Sequence, residues 1–428
     1  MPEGTLEVGI GLAVAGVTAY GFTVVAARAL GATDYAPLSV LWAMVFVAGP
    51  GFFLPIEQEV SRALASRRVR RLGTGPVIRR AALFGALIAL LLLVVMLVLS
   101  PWMVSNLFSG EWLLFVGLVL GMLGYCVEHL ARGTYSGLGR FRPYSLVVGG
   151  EALLRFLICV LLAMASVTYA GWYGLALGIA PICAVLFSLR GQHGMVTDGP
   201  DAPWSELSTA LGALLAGSVL AMLLVNGGPI AMQILAGEDQ QELVSQFFTA
   251  VIIARIPLFL FQAVQAALLP KLSGLASAGR FDEFRIGFRK LVVVVAGVGG
   301  VAVVFAFAIG PWAIRLLYGP EFDLGHRTVG LLAAGSVLFM LAQAMAQAVI
   351  ALGGHTRMAF CWLAAVITFV VVTALGSDLY LRVEMGLLVG SAVACLGMAV
   401  LVRQLVRGGA SVHTGDLIEA IHDFGVEP

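Results

Sequence analysis

The sequence predicts an all-α polytopic membrane protein of about 12 transmembrane helices, arranged as two six-helix repeats around a central cavity. Three observations carry that prediction. Hydrophobic residues fill 60% of the 428 positions and charged residues only 11%, against roughly 25% charged in an ordinary soluble domain. Apolar runs of about 20 residues, the length that crosses a hydrocarbon core, recur along the whole chain. Landmarks of the first half also return in the second at a nearly constant offset.

A soluble protein this apolar could not cover its own surface, so the lipid bilayer is the first partner the composition implies. A net charge of +1 argues against a nucleic-acid partner. The 52 glycines suit helices whose backbones approach closely in lipid. Cys126, Cys159, Cys183, Cys361 and Cys395 all lie in apolar runs without a CxxC pair, which reads as structural thiols and leaves the redox compartment open. The N-terminus has no basic n-region, and its first apolar run reads as a retained span.

The runs fall near 6–27, 36–55, 81–104, 112–131, 144–166, 170–189, 207–227, 243–268, 291–313, 328–351, 358–377 and 384–403. They are too long, and too little alternating, for a barrel wall. Lysine and arginine set the expected orientation. With a cytoplasmic N-terminus, Arg62, Arg67, Arg68, Arg70, Arg71, Arg79 and Arg80 all fall inside, together with Arg132, Arg140, Arg142, Arg190, Lys271, Arg280, Arg285, Arg289, Lys290, Arg357, Arg403 and Arg407. Only Arg28, Arg315, Arg327 and Arg382 fall outside. Both termini are therefore expected in the cytoplasm, with the chain in the cell (plasma or inner) membrane.

The internal match begins with Pro101-Trp102, Leu107-Phe108 and Glu111, which return as Pro311-Trp312, Leu317-Tyr318 and Glu321 at an offset of 210. Gly137-Leu138-Gly139 returns as Ala351-Leu352-Gly353 at an offset of 214. Leu54-Pro55 has a weaker echo in Leu269-Pro270. An even number of spans per repeat gives both halves the same orientation, related by an axis along the membrane normal. The expected division is 1–190 for the first bundle, 191–205 for a cytoplasmic linker, 206–403 for the second bundle and 404–428 for a cytoplasmic tail. Two bundles rocking about a shared central site is a secondary-transporter plan.

An ionisable group inside a span is costly and marks a functional candidate. Arg255 lies about twelve residues into the eighth run, about 18 Å at 1.5 Å per residue, with no acid within one turn. It is either an anion-binding group facing a wet cavity or the partner of a carboxylate on another helix. Glu151 and Arg155 stand at i,i+4 in the fifth run. They are either a neutralised internal pair or a protonatable coupling group beside a substrate-binding arginine. Glu128 and Arg132 repeat that spacing at the inner end of the fourth run, and Glu57 and Glu59 close the second; these are interfacial or gating pairs. The histidines show no metal-ligand spacing. No phosphate-binding loop and no catalytic constellation appears, so neither a metal, a cofactor nor an enzyme activity is expected.

Some of these segments are similar to known ones. Arg28-Ala-Leu-Gly31 with Tyr35 resembles the R-x-L-G-x-x-x-Y-G segment of oligosaccharide flippases, in the multidrug/oligosaccharidyl-lipid/polysaccharide exporter superfamily. The family's glycine after the tyrosine is Ala36 here. Ala254-Arg255-Ile-Pro257, followed by Leu269-Pro270-Lys271-Leu-Ser273, resembles that family's eighth span. Leu317-Tyr318-Gly319-Pro320-Glu321-Phe322 resembles its L-Y-G-x-x-[FY] segment. The resemblance implies a flippase that moves a polyprenyl-diphosphate-linked saccharide from the inner to the outer leaflet for polysaccharide or cell-wall assembly. Arg28, Arg155 and Arg255 are then substrate-binding candidates, and polysaccharide-biosynthesis enzymes are candidate partners. Many relatives have fourteen spans, against twelve here. The alternatives are an ion-coupled multidrug or cation antiporter of the same superfamily, which should prefer acidic cavity groups, and a non-transporting membrane scaffold for biosynthetic enzymes.

Overall fold

The computed structural model describes residues 5–207, 210–258, 261, 274–275 and 280–407. Among them every regular element is a helix and none is a strand, as lipid requires of a backbone that must satisfy its own polar groups. The expected landmarks at 269–273 and the tail beyond Arg407 lie outside the described residues.

The first two expected spans form one 65-residue run, α1 (Thr5–Val69), broken only at Gly31 (φ 77°, ψ 168°). A straight helix would hold Phe22 and Trp42 about 30 Å apart, yet their ring centroids are 5.3 Å apart. The chain therefore doubles back at Gly31, whose positive φ glycine adopts without strain. One residue does the work of the loop expected there.

α2 (Gly75–Leu107), α3 (Trp112–Gly137), α4 (Phe141–Met164) and α5 (Ala170–Ser188) complete the first half. The second half holds α6 (Leu211–Leu235), α7 (Gln241–Ala254), α8 (Phe281–Tyr318), α9 (His326–Ala351), α10 (His355–Leu375) and α11 (Leu379–Arg407). Ten described helices, all but α7, are long and apolar enough to cross a membrane. With the two arms of α1 counted separately and α7 opening the eighth span, each of the twelve expected spans has its helix.

The backbone repeats with the sequence. Ser109 (φ 51°) and Gly319 (φ 119°) match at the 210 offset, and Gly139 (φ 71°) and Gly353 (φ 77°) match at the 214 offset. Packing repeats as well: α3 lies on α5 as α9 lies on α11, and α4 lies on α5 as α10 lies on α11. Small residues make this approach close. A Cβ added at Gly117 would stand 2.6 Å from the Gly174 carbonyl oxygen, so α3 and α5 meet backbone to backbone.

The arginines between the second and third spans do not sit on a long loop, because α1 runs on through Arg62, Arg67 and Arg68 and α2 begins before Arg79 and Arg80. The segment 191–205 is laid against that end. Arg67, 2% exposed, donates to Gly73 O (2.7 Å), Pro200 O (3.1 Å) and the Glu206 carboxylate (2.6 and 2.9 Å). Thr74 Oγ1 donates to Met195 O (2.6 Å), Gly75 N to Thr197 O (2.9 Å), and Arg80 to Asp201 (2.8 Å).

Candidate functional site

A cavity of about 620 Å³ lies between the two halves, within the 300–1,000 Å³ range of small-molecule sites. Its middle is lined by Tyr20, Trp42, Asn226, Arg255 and Phe339, and it continues past Gln343 and Gln347 to Glu57, Gln58, Arg132 and Tyr144. The last four belong to the arginine-rich end of the bundle, and Gln58 is exposed there.

The opposite end is shut by contacts between the halves. Arg28 donates from Nε to Leu317 O (2.6 Å) and from Nη2 to Leu316 O (2.6 Å). These carbonyls belong to the last turn of α8, which has no intrahelical donors for them and favours a cation. Thr23 Oγ1 meets Tyr318 Oη at 3.0 Å. Tyr35 is edge-on to Phe248 and to Phe322, with centroids 6.0 and 6.5 Å away. Gln233 Nε2 donates to Asn106 O across the halves (3.2 Å).

Arg255 stands at the C-cap of α7, where the helix breaks before a further turn through Leu258. Its Nη1 donates to Asn226 Oδ1 on α6 at 2.9 Å. No carboxylate forms an ion pair with it among the described residues, so its cross-helix partner is a neutral amide.

Arg132 reaches the cavity already engaged. Its Nε lies 3.2 Å from Glu57 Oε2 and its Nη1 3.4 Å from Glu128 Oε1. Glu57 also meets His129 Nδ1 at 2.6 Å and accepts from Tyr144 Oη at 3.2 Å. The acid of the cavity wall is thus held by an ion pair to Arg132 and by hydrogen bonds to His129 and Tyr144. Glu128 is 1% exposed, and its Oε2 is buried without a hydrogen-bond partner. Glu59 does not line the cavity; it binds Arg62 one turn on, at 2.8 Å.

The Glu151–Arg155 pair is closed at 2.7 Å, with Tyr125 Oη donating to Glu151 at 3.3 Å. Arg155 stands behind the cavity wall, its guanidinium 4.9 Å from the ring centre of Trp42, which lines the cavity. Among the sequence candidates, Arg255, Arg132 and Glu57 therefore meet in one cavity. Arg155, Glu151, Glu128 and Glu59 lie behind or beside it, and Arg28 closes the far end. His129, Tyr144, Asn226, Gln343 and Gln347 were not singled out from the sequence. Gln343 and Gln347, at i,i+4 in an otherwise apolar run, were the readable signal for one of the walls.

Comparison with solved structures places this architecture. The chain is similar to an inward-facing conformation of a multidrug resistance MATE family transporter of the MOP superfamily, with a TM-score of 0.75, 15% identity and coverage of 93% of this chain and 96% of that one. The fold is that of the MATE transporters. An outward-facing conformation of a multidrug resistance MATE family transporter gives a TM-score of 0.64 at 13% identity, covering 95% and 96%. A mutant of the Vibrio cholerae MATE transporter VcmN gives 0.68 at 16% identity, covering 95% and 97%. No family model matches the chain. By sequence it is 25% identical over 417 residues to an uncharacterized protein of Mycobacterium tuberculosis, covering 94% of this chain and 91% of that protein. It is 24% identical over 396 residues to an uncharacterized protein of Mycobacterium bovis, covering 90% and 89%.

Proposed function

We propose that this protein is a membrane transporter that works by alternating access between its two halves, 1–190 and 206–403, with both termini in the cytoplasm of the cell that bears it. Its cargo in this reading is a polyprenyl-diphosphate-linked saccharide, flipped from the inner to the outer leaflet for polysaccharide or cell-wall assembly. The observation that carries the anionic cargo is Arg255, a cation in the middle of the cavity whose partner is the neutral Asn226. Its planar fork of donors suits phosphate oxygens. The headgroup passes between the halves while the prenyl chain stays in lipid.

A second reading, an ion-coupled multidrug or cation antiporter, is favoured by the solved structures of like fold, two of which are conformations of a multidrug resistance MATE family transporter. Against it stands the cavity's chemistry. Among the described lining residues the acid is Glu57, already held by His129, Arg132 and Tyr144. A cationic drug therefore meets no free carboxylate. Reconstitution into liposomes decides between the two: leaflet translocation of lipid-linked saccharide supports the flippase, and exchange of cationic dye for protons or sodium without saccharide movement supports the antiporter.

A further inference from the structure

A second cavity, of about 560 Å³, lies apart from the first, between the start of α8 and the end of α11. Arg285 and Arg289 line it from α8, and Arg403 and Arg407 line it from α11. All four are exposed, and none forms an ion pair or hydrogen bond among the described residues. The one acid on its wall is Asp282. Phe288 and Val402 give it an apolar floor.

Its depth in the membrane follows from helix length. The 38 residues of α8 span about 57 Å, far more than the roughly 30 Å hydrocarbon core. The polar stretch 281–290 accordingly projects beyond the core, and the apolar shaft starts at Leu291. Val293 and Val294, 63% and 58% exposed, sit just below the arginines and face lipid. Four unpaired guanidinium groups at headgroup level, above an open apolar wall, complement a phosphate group carrying acyl chains. The helices α8 and α11 both pack on α9 and leave the gap between their ends unfilled by protein among the described residues.

We propose that this groove is a binding site for an anionic phospholipid headgroup, held by Arg285, Arg289, Arg403 and Arg407, whose acyl chains lie along α8. The lipid is a bound component of the second half and is distinct from the cargo.

The test is native mass spectrometry of the full-length protein in detergent titrated with phosphatidylglycerol, cardiolipin or phosphatidylcholine, with thermal melting in vesicles of the same lipids. The wild type should retain the anionic lipids and melt higher in them than in phosphatidylcholine. A variant with Arg285, Arg289, Arg403 and Arg407 all changed to Gln should lose that affinity at least about tenfold, since each surface cation changes anionic-lipid affinity by roughly fivefold. Exposed Arg70, Arg71 and Arg79 changed to Gln should leave it intact. Excess inorganic phosphate should not displace the lipid. Equal retention of anionic and zwitterionic lipid, equal loss in the control variant, or full displacement by phosphate each overturns the proposal. So does binding that appears only after residues 408–428 are removed, which would give the groove to the chain's own acidic tail.

Discussion

Arg28 of the first helix and the Leu317 carbonyl at the end of α8 are 2.6 Å apart, joining the two halves at the closed end of the cavity. A hydrogen bond to a charged group contributes about 1.5–3 kcal/mol, and about 1.4 kcal/mol is tenfold in an equilibrium. Replacing Arg28 with Ala should therefore open that end at least about tenfold more often. The readout is labelling of a cysteine placed at Ala19, inside the cavity, by an impermeant maleimide added outside. An unchanged labelling rate would show that the seal does not depend on Arg28.

Arg255→Ala should abolish movement of a lipid-linked saccharide in liposomes while the protein remains folded, because its partner is an amide and no carboxylate is stranded. Arg255→Lys keeps the charge but loses the fork, and transport should fall partially. Asn226→Ala should cost less than Arg255→Ala. Wild-type translocation by well-folded Arg255→Ala protein contradicts a binding role for this group.

Glu151 and Arg155 are 6% and 3% exposed. Removing one member of a buried pair costs about 3–5 kcal/mol because the other charge is left unpaired. Glu151→Gln should lower the melting temperature clearly. Exchanging the two residues should restore it. If Glu151 also couples proton movement to transport, the exchanged protein should be stable yet inactive; recovery of transport would leave the pair a structural one.

Arg67→Ala should release the segment 191–205. Its guanidinium makes bonds to Gly73, Pro200, Asp201 and Glu206, and their loss should cost about 2–3 kcal/mol. A broad-specificity protease should then cut the segment faster than in wild type. Cleavage at the wild-type rate would show that the remaining contacts of Thr74 and Arg80 suffice.

Orientation is checked by single cysteines at Ser66 and Asp239, both exposed and at opposite ends of the bundle. Ser66→Cys should react only from the cytoplasm and Asp239→Cys only from outside. The reverse pattern would invert the direction of transport proposed above.

Much of the helical plan was legible because lipid leaves a long apolar run one economical form, and because local pairs such as Glu151–Arg155 follow from i,i+4 spacing alone. Contacts between distant segments were not. Nothing near Arg28 in sequence points to carbonyls on α8, since every residue carries a carbonyl and only the fold says which is unsatisfied. Glu57 likewise gave no sign that His129 and Tyr144, on α3 and α4, would enclose it. Arg255 could be placed in depth by counting residues, but its amide partner lies on another helix. The limits of α1 and α2 at the arginine-rich end were hidden for a related reason: charged residues past the end of a span can continue the helix into water, where composition no longer marks its limit.

Among the described residues, the hydrogen bonds of the segment between the halves go to the first of them, through Arg67, Thr74, Arg80 and, at its start, Arg140 to Gln192 (3.0 Å). It therefore moves as a rigid part of that half. In sequence, only three positions separate Leu207, where that segment ends, from Leu211 at the start of α6. A tether this short keeps each half at a high effective concentration about the other. The halves can part at either end during the cycle and still meet again as an intramolecular event rather than by diffusion in the plane of the membrane.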